Sequence, residues 1–240
     1  MESTWKLNRN QLKYIAIIAM LIDHIAWTFV PTYSLLGQVM HVIGRLTGPI
    51  MAFMIAEGYE HTRNIKKYAL RMFLFAMISW IPYSLHSTWK WPTMQFGVIL
   101  TLFFGLIAIW IWDKAKLPTF LKVLIVIGLC IASLFLGDWP IFDVLWPLFL
   151  FIYRDEPKKK WTSFTIITAA EILLSQLMAL TSSRPYGQLF QIGAIVVPPL
   201  LIWGYSGKPG SKNAFHKWFF YVFYPAHLLV LYLLKQALGY

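Results

Sequence analysis

Polar positions along this chain are sparse and clustered. Between the clusters lie apolar runs at roughly 12–30, 36–58, 65–85, 95–112, 117–136, 139–153, 161–181, 187–203 and 216–238. Most reach the roughly 17–25 residues a helix needs to cross a bilayer. The run at 139–153 carries Pro140 and Pro147, and that at 187–203 carries Pro198 and Pro199. Both short runs are therefore expected to be tilted, kinked or partly re-entrant. The pattern predicts an all-α, polytopic integral membrane bundle of about nine transmembrane helices, with eight and ten as alternatives. The interruptions are only a handful of residues each, so residues 1–240 form a single transmembrane domain with no separate soluble catalytic unit. Asp23 and His24 sit inside the first run and no small-residue cleavage site follows, so it is expected to remain a span rather than act as a cleaved signal.

Composition sharpens this picture. Hydrophobic residues make up 58% of the chain and charged residues 13%, against about a quarter charged in ordinary soluble domains. The net charge of +11 would suggest nucleic acid in a soluble protein; here it is read against a membrane surface, and no nucleic-acid partner is expected. Cys130 stands alone, which excludes an internal disulfide and a cysteine metal site, and no metal is expected.

Basic residues orient the bundle. With the N-terminus in the cytoplasm, the inner flanks hold Lys6, Arg9 and Lys13; Arg63, Lys66, Lys67 and Arg71; Lys114, Lys116 and Lys122; Arg154, Lys158, Lys159 and Lys160; and Lys208, Lys212 and Lys217. These are 17 of the 21 basic residues. The outer flanks hold only Lys90, Arg184 and Lys235, and Arg45 lies within a span. That alternation is the positive-inside pattern. Trp80, Tyr83, Trp89, Trp91, Trp110, Trp112, Trp139 and Trp146 gather near span ends, as an interfacial aromatic belt would.

A charge near the bilayer centre costs about 2.5–3.5 kcal/mol on insertion scales, so each needs a reason. The candidates are Asp23 and His24 in the first span, His41, Arg45 and Glu57 in the second, Asp143 in the sixth, Glu171 in the seventh and His227 in the ninth. At about 1.5 Å of rise per residue, His24, Arg45, Glu171 and His227 fall in one layer near mid-membrane. Glu57 falls near the inner end of its span and Asp143 near the outer end of its own. Mutual pairing that merely holds helices together would account for any one of them, although membrane interfaces more often use small residues. Two imidazoles at that depth suggest proton exchange. Neighbours on a helix diverge by about 100°, so Asp23 and His24 face different walls. Asp23 is expected to pair with Arg45. The Gly44-Arg45-Leu46-Thr47-Gly48-Pro49 run predicts a broken helix whose freed backbone lines a polar cavity. His41, Glu57 and Tyr59 are further expected contributors to that cavity.

Lys13 and His24 stand eleven positions apart, about 16 Å along a helix, which matches an extended pantetheine arm. Arg63, Lys66, Lys67 and Arg71 lie on the same side as Lys13 and suit a polyanion. Such a basic loop also serves as an orientation signal or a contact for anionic membrane lipid.

Three stretches carry a resemblance. Leu12-Lys13-Tyr14 through Leu21-Ile22-Asp23-His24-Ile25 resembles the first span of the TraX family of membrane acetyltransferases. So does Ile43-Gly44-Arg45-Leu46-Thr47-Gly48-Pro49-Ile50, running on to Ala56-Glu57-Gly58-Tyr59 and Lys66-Lys67-Tyr68-Ala69-Leu70-Arg71. Phe223-Tyr224-Pro225-Ala226-His227-Leu228-Leu229 resembles that family's last helix. The family is similar to the wider acyltransferase-3 superfamily, whose first helix carries a basic residue, ten intervening positions and a histidine; Lys13 and His24 reproduce that spacing. The superfamily's paired arginines after the second helix correspond here to a looser set of four cations, and nine spans are one fewer than is usual.

The resemblance implies a multi-pass enzyme of the bacterial cell membrane that transfers an acetyl (acyl) group from cytoplasmic acetyl-CoA to a peptide, pilin or small-molecule acceptor. Its known acceptor is the N-terminal amine of a conjugative pilin. On this reading His24 is the general base, with an acyl-histidine variant open, and Arg45 oriented by Asp23 stabilises negative charge. His227 and Glu171 are supporting or proton-exit groups, while Lys13, Arg63, Lys66, Lys67 and Arg71 hold the cofactor phosphates. The rival is a small proton-coupled transporter using the same intramembrane Asp, His, Arg and Glu. Against it, no paired discontinuous segments occur in corresponding halves. A non-catalytic assembly factor is a third option, disfavoured by the number of mid-membrane charges.

Overall fold

The computed structural model describes residues 6–89, 93–211 and 213–239. Lys90, Trp91 and Lys212, which enter the charge and aromatic patterns above, lie outside the described residues. The described chain is all helical apart from one isolated bridge between Leu7 and Tyr205. The helices are α1 (Arg9–Phe29), α2 (Leu35–Gly44), α3 (Thr47–His61), α4 (Ile65–Thr88), α5 (Val98–Lys114), α6 (Thr119–Leu136), α7 (Phe142–Ile152), α8 (Pro157–Leu180), a 3-10 segment (Leu189–Val196) running into α9 (Val197–Gly204), and α10 (Ala214–Ala237).

Among the described residues, six helical stretches are long and apolar enough to cross a membrane: α1, α2 with α3, α4, α6, α8 and α10. The two proline-bearing runs form the shorter elements: α7 has 11 residues, and the second is a 3-10 turn followed by an 8-residue helix.

Local chemistry sets the boundaries. Asn8 and Gln11 form a reciprocal cap, the Asn8 side chain accepting from the Gln11 N–H at 3.0 Å and the Gln11 side chain from the Asn8 N–H at 2.8 Å. This satisfies two donors that would otherwise be orphaned at the start of α1. α1 stops just before Pro31. The second span is broken at Arg45 and Leu46, where Pro49 has no N–H to return to the Arg45 carbonyl. The break turns the Arg45 side chain inward rather than towards lipid. Gly44 is needed there, because a Cβ would collide with the Asp23 side chain. The close approach of α1 and α2 thus depends on a missing methyl.

Short α7 is the hub. Packed against α5, α3 and α8, it buries Val144, Trp146, Leu148 and Leu150. Gly105 of α5 lets the two backbones touch at the Asp143 carbonyl and Pro147, and Pro147 has removed the N–H that would have bonded that carbonyl. Of the aromatics expected in the interfacial belt, Trp146 therefore lies inside and Trp139 is half-buried. Trp146 is fully buried, its indole N–H donating to Thr168 Oγ1 at 3.2 Å, and Trp139 stacks on the Arg45 guanidinium at 4.5 Å. Each has found a partner within the bundle, which an interfacial position would have left to water. α6 is the opposite case, with only Val126 and Ser133 buried.

Candidate functional site

Two cavities adjoin along α1. The upper, about 290 Å³, is lined by Asp23, His24, Arg45, Tyr83, His86, Asp138 and Trp139 among others. The lower, about 430 Å³, is lined by Lys13, Arg9, Arg71, His61, His216, Tyr68 and Tyr221 together with an apolar wall from α3 and α5. Met20, Thr47 and Val98 belong to both linings and form the collar between them. Thr47 is fixed there by donating its hydroxyl to the Ala16 carbonyl at 3.0 Å.

Asp23 and His24 diverge as helical geometry requires. Asp23 is buried and its carboxylate is fully engaged. Oδ2 accepts from Arg45 Nη2 at 2.7 Å and from the Trp27 indole at 3.2 Å, and Oδ1 accepts from His41 Nδ1 at 2.7 Å. Arg45 is held further by Phe190 at 5.1 Å on a second aromatic face. Paired and stacked, the buried guanidinium has a fixed direction.

Behind His24, His227 is buried and lines neither cavity; its Nδ1 lies 2.8 Å from the Phe223 carbonyl and its Nε2 2.9 Å from His24 Nδ1. A carbonyl only accepts, so His227 carries its proton on Nδ1 and offers Nε2 as an acceptor. His24 then donates from Nδ1, and its Nε2 is left bare on an imidazole that lines the cavity. The two-ring chain fixes the tautomer a proton acceptor needs.

The other expected residues divide. Lys13 and Arg71 line the lower cavity, with Arg71 donating to the Tyr221 hydroxyl at 3.0 Å. Arg63, Lys66 and Lys67 do not; they stay exposed at the start of α4. Glu171 is also displaced from its expected role. It is buried, but it lines neither cavity, because α8 packs against α7 and the 3-10 segment and so reaches the layer from behind. Glu57, Tyr59 and His41 line neither cavity as well. Glu57 pairs with Arg9 at 2.8 Å and accepts from Tyr205 at 2.8 Å, Tyr59 donates to Asp113 at 2.7 Å, and His41 backs Asp23. Each is turned aside by a stronger polar partner.

Several lining residues escaped the sequence. His86 falls one position beyond the third apolar run, whereas α4 continues to Thr88; extending that helix through Ser87 and Thr88 would have found it. Asp138 lies in the loop before α7, where burial pushes its carboxyl up against the opposing pull of the Arg45 guanidinium. Arg9 and His216 were legible only as flanking polar residues. Among the described residues, no group of three His, Cys, Asp or Glu is placed to hold a metal ion.

The model of the family described as TraX protein matches residues 8–235. The chain belongs to the TraX family. A relative from Dichelobacter nodosus, described as probable fimbrial assembly protein FimC, serogroup H1, is 32% identical over 229 residues, covering 92% of this chain and 93% of its own length. No solved structure matches. The matched stretch contains both cavities and every lining residue named above, so the family relation spans the whole candidate site.

Proposed function

We propose that this TraX-family protein is a membrane-embedded acyltransferase. It moves an acetyl group from cytoplasmic acetyl-CoA to an amine or hydroxyl acceptor such as a pilin or peptide N-terminus, in a bacterial cell membrane. The observation that carries the reading is that one helix, α1, presents Lys13 to a cation-lined cavity and His24 to an adjoining imidazole-lined one. Eleven residues of helix separate them by about 16 Å. A donor with phosphates at one end and a thioester at the other needs that order of chemistry. The basic flanks favour a cytoplasmic N-terminus, an orientation in which the Lys13 cavity faces the side that holds acetyl-CoA. The fimbrial assembly role in the relative's description favours a pilin as acceptor.

In this scheme Lys13, Arg71 and Arg9 hold the donor phosphates, and the apolar wall takes the pantetheine arm past Met20. His24 Nε2 removes the proton as the acceptor nitrogen or oxygen attacks the thioester carbon. Arg45 faces the developing oxyanion in a site with little water, where a fixed charge acts strongly. The C–S bond breaks, and the proton on His24 passes to the departing sulfur.

Labelled acetyl-CoA added to the purified protein tests the reading: label should appear on an acceptor. A transporter would show no dependence on CoA, and a scaffold neither binding nor turnover. Within the same assay, Lys13→Ala should raise the apparent donor KM about tenfold, one charge-assisted phosphate contact being worth about 1.5–3 kcal/mol, with kcat little changed. An unchanged KM would remove Lys13 from the donor site.

A further inference from the structure

The collar between the two cavities carries polar groups that the mechanism above leaves idle. Thr47 lines both cavities, and its hydroxyl proton is spent on the Ala16 carbonyl at 3.0 Å. Its Oγ1 therefore meets the collar as an acceptor only. Tyr224 of α10 lines the lower cavity, and its hydroxyl oxygen accepts the Val98 N–H, the first of α5, at 3.4 Å. That bond leaves the Tyr224 proton uncommitted, with no acceptor for it among the described residues. Gly97, at a φ of 79°, allows this approach, because a Cβ there would strike both the Tyr224 hydroxyl and the Tyr83 ring. The Tyr224 ring stands 6.5 Å from that of His24, at 66° to it. A constriction otherwise formed by Met20 and Val98 thus offers one hydroxyl fixed as an acceptor and one free to donate.

A pantetheine thioester brings a matching pair of needs to that level. Two methylenes separate its sulfur from its first amide. With the acyl carbon at His24, the amide nitrogen lies about 5 Å towards the lower cavity at ordinary bond lengths. Met20 stands one turn below His24 on α1, about 6 Å along the helix. The amide therefore falls in the collar. Its carbonyl needs a donor and its N–H an acceptor, since an amide buried among apolar side chains without them binds at a loss. We infer that the collar is a recognition site for the amide nearest the thioester, with Tyr224 donating to its carbonyl and Thr47 accepting its N–H. This rests on the acyl-transfer reading and specifies its donor class: thioesters of pantetheine, selected over equally reactive thioesters of simple alkyl thiols. Selection works through unused partners, because a donor lacking the amide leaves both hydroxyls unpaired in the constriction. The same two bonds hold the thioester at the height of His24 and Arg45.

Calorimetric binding to the purified protein tests this without an acceptor. The probes are the acetonyl thioether of CoA, which cannot give up its acyl group, and the same molecule with a trans-alkene in place of the first amide. The wild type should bind the alkene probe at least tenfold more weakly than the amide probe, although both keep every phosphate. Tyr224→Phe and Thr47→Val should each weaken the amide probe about three- to tenfold, one neutral hydrogen bond apiece, and leave binding of the alkene probe unchanged. Equal wild-type affinity for the two probes would overturn the inference before any variant is made. A loss of the same size on both probes in either variant would show that hydroxyl to be structural and overturn the two-point recognition. Wild-type binding of neither probe would instead sink the acyl-CoA reading itself.

Discussion

Replacing His24 with alanine should lower acetyl transfer by about 10²–10⁴-fold, the usual contribution of a positioned proton acceptor, while the protein still inserts and elutes as a folded species. The two halves of this expectation have separate origins. His24 is the only imidazole on α1, and its Nδ1 is committed to His227, so no neighbour on that helix can substitute for Nε2. It is also only partly buried and lines an open cavity, so its loss leaves no large void. Its removal leaves the buried His227 Nε2 without its donor, a cost of about 1–3 kcal/mol that a folded helical bundle tolerates. Labelled transfer and thermal melting on the same preparation check both parts. Substantial transfer by the variant would move the base elsewhere.

The second large effect falls on stability. Asp23→Asn keeps the shape of the side chain and removes its charge. Arg45 then has no carboxylate within reach of Nη2, and the single amide oxygen can accept from Arg45 or from His41 but not from both, in a pocket where Asp23 and Arg45 are each 7% exposed. Breaking a buried pair from one side costs about 3–5 kcal/mol. The yield of folded protein in detergent should collapse and its melting temperature fall sharply. The double variant Asp23→Asn with Arg45→Gln should recover most of the stability, since no bare charge remains, but no transfer, since the group facing the oxyanion is gone. If Asp23→Asn alone melted like the wild type, Asp23 would not be the counter-ion that orients Arg45.

How much of this was legible in advance depends on the kind of interaction. Depth along two helices was enough to pair Asp23 with Arg45, because helical rise is nearly invariant. The Gly-Arg-Leu-Thr-Gly-Pro run marked the break between α2 and α3, because proline removes a particular hydrogen bond. The separation of Lys13 and His24 followed from the same rise. What depth cannot supply is the direction from which a helix approaches. Glu171 lies near the expected level but arrives behind α7, and Trp146 occupies the core because short α7 is enclosed on several sides. Arg63, Lys66 and Lys67 resemble Arg71 in sequence. Only Arg71, further along α4, finds a tyrosine on α10 to hold it at the lower cavity. His86 was hidden by polar neighbours that ended an apolar run without ending the helix.

The most direct measurement is an experimental structure of the protein in lipid with a non-hydrolysable acetyl-CoA analogue. The account predicts phosphates beside Lys13 and Arg71, the pantetheine arm passing the collar of Met20, Thr47 and Val98, and the acyl carbon facing His24 and Arg45. Phosphates seated on Arg63, Lys66 and Lys67 with the acyl end outside the collar would contradict it, because the two cavities would then not serve one substrate.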